Sequence, residues 1–85
     1  MRNFENPLSM ELTNHIEVNP KIMMGKPVIK GTRITVEIIL EKLSYGMAFS
    51  DILQAYPSLS EEKIKAALAY AAESLKGDTI YPMAV

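Results

Sequence analysis

After Arg33 the hydrophobic period of this chain changes from about two residues to about three and a half, and that change limits what it can fold into. Before the change, short apolar–polar alternations are broken by Asn19-Pro20, Gly25, Pro27 and Gly31, the punctuation of brief extended segments. After it, apolar residues recur at helical spacing in three successive stripes. The chain has 85 residues, enough for one small domain. Such a domain buries only roughly 60–65% of its unfolded surface and gains from a partner subunit.

The extended part comes in two pieces. His15-Ile16-Glu17-Val18 alternates and ends at the Asn19-Pro20 turn signal, and a second stretch centres on Pro27-Val28-Ile29-Lys30. A Gly-containing loop between them predicts a paired β-ribbon over residues 15–34, with Pro27 at a strand start or edge, where its missing N–H costs nothing. Residues two apart on a strand share a face. Lys26, Val28 and Lys30 are therefore expected on one side, the two lysines pointing into solvent about 13 Å apart.

The helical part follows. Val36, Ile39, Leu40 and Leu43 form the first stripe, with Thr35 as N-cap, Glu37 at the positive end of the dipole and Gly46 as the stop. Phe49, Ile52, Leu53 and Tyr56 form a shorter second stripe, with Ser50 as cap or first-turn residue, Asp51 in the first turn and Pro57 at its end. Ser60 caps the third helix, Glu61 and Glu62 fill its first turn, and Leu59 and Ile64 are placed as a hydrophobic staple. Its expected core stripe is Ile64, Ala67, Leu68, Ala71 and Leu75, with Glu61 and Lys65 as an i,i+4 pair and Gly77 closing it. The fold class is α+β and mainly α: one domain of β-ribbon (15–34) and three-helix core (35–77). Residues 1–14 read as a loose arm and 78–85 as an apolar tail. Three helices on short turns suggest a helix-turn-helix unit, and a plain three-helix packing module gives the same pattern.

Charge singles out the ribbon. From Lys21 to Arg33 the chain carries four positive charges and no negative one, while the whole nets −1. Concentrated this way, the cations can present one phosphate-seeking face. Lys26 and Lys30 suit phosphate contact, and Arg33, after the flexible Gly31, can also read guanine or a narrow minor groove. The plainer alternative is a solvated loop in which Arg33 pairs with Glu37. A nucleotide-binding loop is excluded, because Pro20 stands where the first glycine is needed and Pro27 replaces the Ser/Thr after Gly25-Lys26. The third helix is a secondary nucleic-acid candidate: Glu61 and Glu62 at its start repel phosphate, with Lys63 and Lys65 in partial compensation. Opposite its expected core stripe lie Glu62, Ala66, Ala69, Tyr70 and Glu73. Ala66, Ala69 and Tyr70 there suit a partner interface, or serve merely as helix formers on a wet surface.

Other chemistry has little to stand on. The chain holds no cysteine and one histidine, His15, so neither a thiolate nucleophile nor a Cys-based zinc site is available. Glu37 and Glu41 are i,i+4 carboxylates that can in principle act as an acid–base pair or hold a metal, but with Lys42 beside them they read as surface neighbours. No enzyme activity, metal or cofactor is expected. No apolar run approaches the roughly 20 residues of a membrane span, and the N-terminus lacks the apolar stretch of a signal peptide. A cytoplasmic protein is expected.

The ordered string Gly25-Lys26-Pro27-Val28-Ile29-Lys30-Gly31-Thr32-Arg33-Ile34, then Val36, Gly46, Tyr56-Pro57-Ser58-Leu59, and Ile64 with Ala66-Ala67-Leu68-Ala69-Tyr70, strongly resembles the bacterial family filed as domain of unknown function 433. The likeness runs from about Ile16 to Glu73 and lands on Gly25–Ile34 and on the Tyr56–Leu59 turn. The resemblance implies a homeodomain-like helical core. It also implies an antitoxin: a DNA-binding protein that neutralises a PIN-like nuclease toxin and binds its own promoter. A homodimer is expected, since two-fold symmetry matches a palindromic site. The alternative is a protein-only adaptor or dimerisation module that never touches DNA.

Overall fold

Val28 and Ile29 carry no exposed surface, although they form a strand of only two residues. This strand, β2 (Val28–Ile29), is central in the ribbon, and Ile29 packs into the hydrophobic core. On one side it pairs antiparallel with β1 (Ile16–Glu17), in register Ile16 to Ile29 and Glu17 to Val28. On the other side the chain turns back at Gly31 and Val28 bridges Thr35. The Ile29 N–H donates to the Ile34 carbonyl at 2.9 Å, and the Val36 N–H donates to the Pro27 carbonyl at 2.9 Å. The structure, a computed structural model, describes residues 14–76. The predicted arm (apart from Asn14), the Gly77 stop and the predicted tail lie outside the described residues.

The ribbon and three helices have the predicted order, α+β and mainly α. α1 spans Val36–Ser44, α2 Phe49–Ala55 and α3 Glu61–Lys76. Thr35 caps α1 as expected, its hydroxyl accepting from the Ile38 N–H at 3.0 Å. α1 ends in a Schellman motif: the Gly46 N–H reaches the Leu43 carbonyl at 3.0 Å and the Met47 N–H the Lys42 carbonyl at 3.2 Å. Gly46 sits at φ +92°, a conformation that a side chain would strain. At α2 the N-cap is Ala48, whose N–H donates to the Asp51 carboxylate at 3.0 Å, and Ser50 falls in the first turn. Ser60 caps α3 by accepting from the Lys63 N–H at 3.2 Å.

The core is a single cluster of Ile29, Val36, Ile39, Ile52, Leu59, Ile64 and Ala67, with the remaining stripe residues of α1 and α2 packed partly against it. The Leu59–Ile64 staple is therefore inside the core. Two expectations are corrected. Val28 does not share a solvent face with Lys26 and Lys30: it is buried while they are exposed, because the regular strand is only Val28–Ile29 and its period of two does not extend to either lysine. On α3, Leu68 and Leu75 are 37% and 59% exposed, whereas Ala66, expected on the outer face, is fully buried. β1 packs against α3, so the buried side of that helix is turned toward Ala66, Ala67 and Tyr70.

The loop between the strands holds a feature that spacing does not predict. Met23, Met24 and Gly25 all lie at positive φ (+49°, +59° and +85°), and Met24 is 90% exposed. Left-handed backbone costs a non-glycine residue roughly 1–2 kcal/mol, and an exposed side chain recovers little by packing. Met24→Gly is expected to raise stability by up to about 1 kcal/mol, the relief of strain exceeding the roughly 0.5–1 kcal/mol entropic penalty of glycine. A lower urea midpoint for that variant contradicts the strain. Thr35→Ala is expected to cost about 1–2 kcal/mol and Thr35→Ser much less, since serine keeps the cap. Equal losses in both variants, measured by the same urea titration, count against the hydroxyl.

Candidate nucleic-acid interface

Thr32 shapes the turn that carries the exposed cations. Its hydroxyl donates to the Ile29 carbonyl at 2.8 Å and accepts from the Ile34 N–H at 3.0 Å, closing the turn from inside. Gly31, at φ +81° with open space where a Cβ would stand, lets the chain reverse there. Lys30 and Arg33 flank this Gly31-Thr32 pair, and both are exposed. Neither is within ion-pair distance of a carboxylate among the described residues. Beside them is a shallow hollow of about 570 Å³ lined by Glu17, Ile22, Gly31, Thr32 and Arg33.

The other three cations singled out by sequence are engaged within the chain. Lys26 donates to Glu37 Oε1 at 2.9 Å, so Glu37 pairs with Lys26 and not with Arg33. The sequence reading missed this pair because its partners lie eleven residues apart on different elements. Lys63 donates to the Ser58 carbonyl at 3.2 Å, and Lys65 lies 3.8 Å from Glu61, the expected i,i+4 pair. All of these ammonium groups are near solvent, and such pairs exchange readily for other anions.

The face of α3 that a helix-turn-helix protein offers to DNA is partly covered here. His15 Nε2, beside β1, lies 3.4 Å from Glu62 Oε2. Of the three interface candidates, Ala66 is fully buried within the chain, and Ala69 and Tyr70 are half-buried, with Tyr70 packed on the core. The expected outer face is thus buried within the chain at Ala66, and the three do not form one exposed patch. The exposed stripe of α3 is instead Leu68, Ala72 and Leu75, at i, i+4 and i+7.

A second concave region was not foreseen. A groove of about 520 Å³ runs between α1 and the C-terminal half of α3. Pro27, Val36, Leu40, Tyr70 and Ala71 give it an apolar floor, and Glu37, Glu41, Ser44 and Ser74 its rim. The signal for its α1 rim was in the sequence, as polar residues at i, i+4 and i+7 (37, 41, 44). What faces them depends on how α1 and α3 pack. Among the described residues no group of acidic and histidine side chains has metal-site geometry, and no helix is long and apolar enough to cross a membrane.

Comparisons with known proteins point one way. Residues 16–71 match the family described as "Protein of unknown function (DUF433)". An uncharacterised protein of Sinorhizobium fredii (strain NBRC 101917 / NGR234), y4eO, is 40% identical over 60 residues, which is 69% of this chain but only 27% of that protein. The crystal structure at 2.00 Å of a DUF433 member from Anabaena variabilis ATCC 29413 superposes with a TM-score of 0.70 at 28% identity, covering 79% of this chain and 66% of that one. The chain thus spans about a quarter of the curated relative.

The Lys26–Glu37 pair joins the loop before β2 to α1, and its partners are 55% and 65% exposed. A double-mutant cycle (Lys26→Ala, Glu37→Ala) is expected to give a coupling of about 0.2–1 kcal/mol that shrinks in high salt. A coupling that is larger and insensitive to salt is incompatible with a solvated pair.

Proposed function

The chain belongs to the DUF433 family, and we propose that it is a DNA-binding regulator of antitoxin type, which binds its own promoter and neutralises a PIN-like nuclease toxin. The observation that carries the DNA half is the Gly31 turn. It holds Lys30 and Arg33 exposed and without carboxylate partners among the described residues, on a chain whose remaining described lysines, apart from Lys21 and Lys42, are held by internal partners. Phosphates take up such cations with release of counterions, and Arg33 can enter a groove. β1 lies over part of α3, which favours the turn over that helix as the primary contact. Lys26, Lys63 and Lys65 then act as secondary contacts once their internal partners yield.

The toxin half comes from what the family resemblance implies. In this reading the protein acts by binding, in the cytoplasm, as a homodimer that sets two turns on a two-fold site. No catalytic step is assigned, and Glu37, half of the only i,i+4 carboxylate pair on α1, is already bound to Lys26. The second reading is a protein-only adaptor. The exposed Leu68 and Leu75 on α3 favour it, as does the acidic start of that helix.

Salt separates the two. Purified protein is titrated onto the DNA upstream of its own gene across a salt series, beside Lys30→Ala/Arg33→Ala and Glu37→Gln. Each lost phosphate contact is expected to flatten the log–log salt slope by about one. Removing both cations should weaken binding strongly, and Glu37→Gln, which frees Lys26, should strengthen it modestly. Absence of binding at low salt, or a slope unchanged in the double variant, removes the DNA half and favours the adaptor.

A further inference from the structure

The groove between α1 and α3 takes no part in the reading of the Gly31 turn. Its floor is apolar on both walls, with Leu40 from α1 facing Tyr70 and Ala71 from α3 and Pro27 also lining it. Among the described residues its charged lining is Glu37 and Glu41, with no basic side chain. With Ser44 they form a polar ridge along α1, about 10 Å long at 1.5 Å per residue. An open apolar hollow with polar groups along one edge can receive an amphipathic helix, whose anchors repeat at i, i+3, i+4 and i+7.

We propose that this groove seats an amphipathic helical segment of a partner protein that carries Lys or Arg beside its apolar stripe. The chain itself supplies the template for the charge. Lys26 already places its ammonium on Glu37 at 2.9 Å, whereas Glu41, one turn further along the same ridge, has no cation within ion-pair distance among the described residues. An incoming Lys or Arg completes at Glu41 the contact that Lys26 makes at Glu37, while the segment's apolar stripe covers Leu40, Tyr70 and Ala71. A phosphate-bearing occupant is repelled by the same ridge. The chain's own residues 77–85 carry only an acidic side-chain charge, Asp78, which is the wrong sign. This inference deepens the partner-binding half of the reading above and stands apart from the DNA half.

The test uses the full chain and two fluorescent synthetic helical peptides of 16 residues, identical in their Leu/Ala stripe. One carries Lys along its flank and the other Glu at the same positions. By anisotropy the Lys peptide is expected to bind about three- to tenfold more tightly, the size of one or two solvent-exposed ion pairs. Glu41→Lys, an exposed change, should cancel or invert that preference. Ser74→Phe, which fills the groove from an exposed position, should abolish binding of both peptides while leaving the urea midpoint and the DNA titration unchanged. Failure of both peptides to bind overturns the proposal, and so does equal binding of the two or indifference to Glu41→Lys and Ser74→Phe. Dimerisation that Ser74→Phe abolishes and the Lys peptide displaces, followed by sedimentation, assigns the groove to a second copy and overturns it as well. Loss of DNA binding alone, with the peptide preference intact, leaves this inference standing and rejects only the DNA half.

Discussion

The hydrogen bonds on either side of Val28–Ile29 are what the rest of the structure depends on. They tie β1 to one edge of the strand and residues 34–36 to the other. The Val36 N–H, at the start of α1, would otherwise be one of the four N-terminal donors a helix leaves unpaired, and here the Pro27 carbonyl takes it. The segment is short, but both of its side chains are fully buried and Ile29 enters the main cluster. Ribbon and helices are therefore one folding unit. Neither half, with so few residues, buries enough apolar surface to stand alone.

The position of that strand also sorts the charges. Before it, Lys26 is drawn onto Glu37 and Pro27 becomes part of the groove. After it, the chain turns at Gly31 and exposes Lys30 and Arg33. A local excess of four positive charges in the sequence thus does not become a uniform basic face. It divides into Lys26, paired beside an acidic groove; Lys30 and Arg33, without carboxylate partners among the described residues on a tight turn; and the exposed Lys21 at the start of the loop. Net charge alone, at −1, conceals this division.

Much of the fold was legible in the sequence because its signals are local. The Thr35 and Ser60 caps, the Gly46 stop and the Leu59–Ile64 staple each depend on a few neighbouring residues, and each is found where spacing puts it. What could not be read depends on distant partners. Alternation put Val28 on the face of Lys26 and Lys30 because it cannot know that the strand stops short of both lysines. Helical spacing assigned Leu68 and Leu75 to the core and Ala66 to the surface because it cannot know where β1 will lie on α3. The Lys26–Glu37 pair and the groove belong to the same class: their residues are ordinary in the sequence and acquire meaning only from tertiary packing. The turn cations were legible as residues, but that Lys30 and Arg33, and not Lys26, lack a carboxylate partner among the described residues was not.

The two surfaces lie beyond opposite ends of one buried strand, which bears on whether they can influence each other. Coupling between sites requires an element with two arrangements that the two ligands favour differently. β2 does not suit that role, since its side chains are enclosed and its backbone is bonded on both edges. An occupant of the groove that competes for Glu37 acts first on Lys26, and an unpaired Lys26 adds a cation to the ribbon without moving the strand. Under the proposed function, an influence of a groove occupant on DNA contact is therefore expected to be electrostatic before it is conformational, and to weaken with salt as exposed charge interactions do. The Met23–Gly25 turn is the exception within the ribbon. Its left-handed backbone is held mainly by the Gly25-to-Ile22 and Lys26-to-Met23 hydrogen bonds, and it adjoins Lys26. The strained turn is thus the part of the ribbon that lies beside the lysine whose partner an occupant would contest.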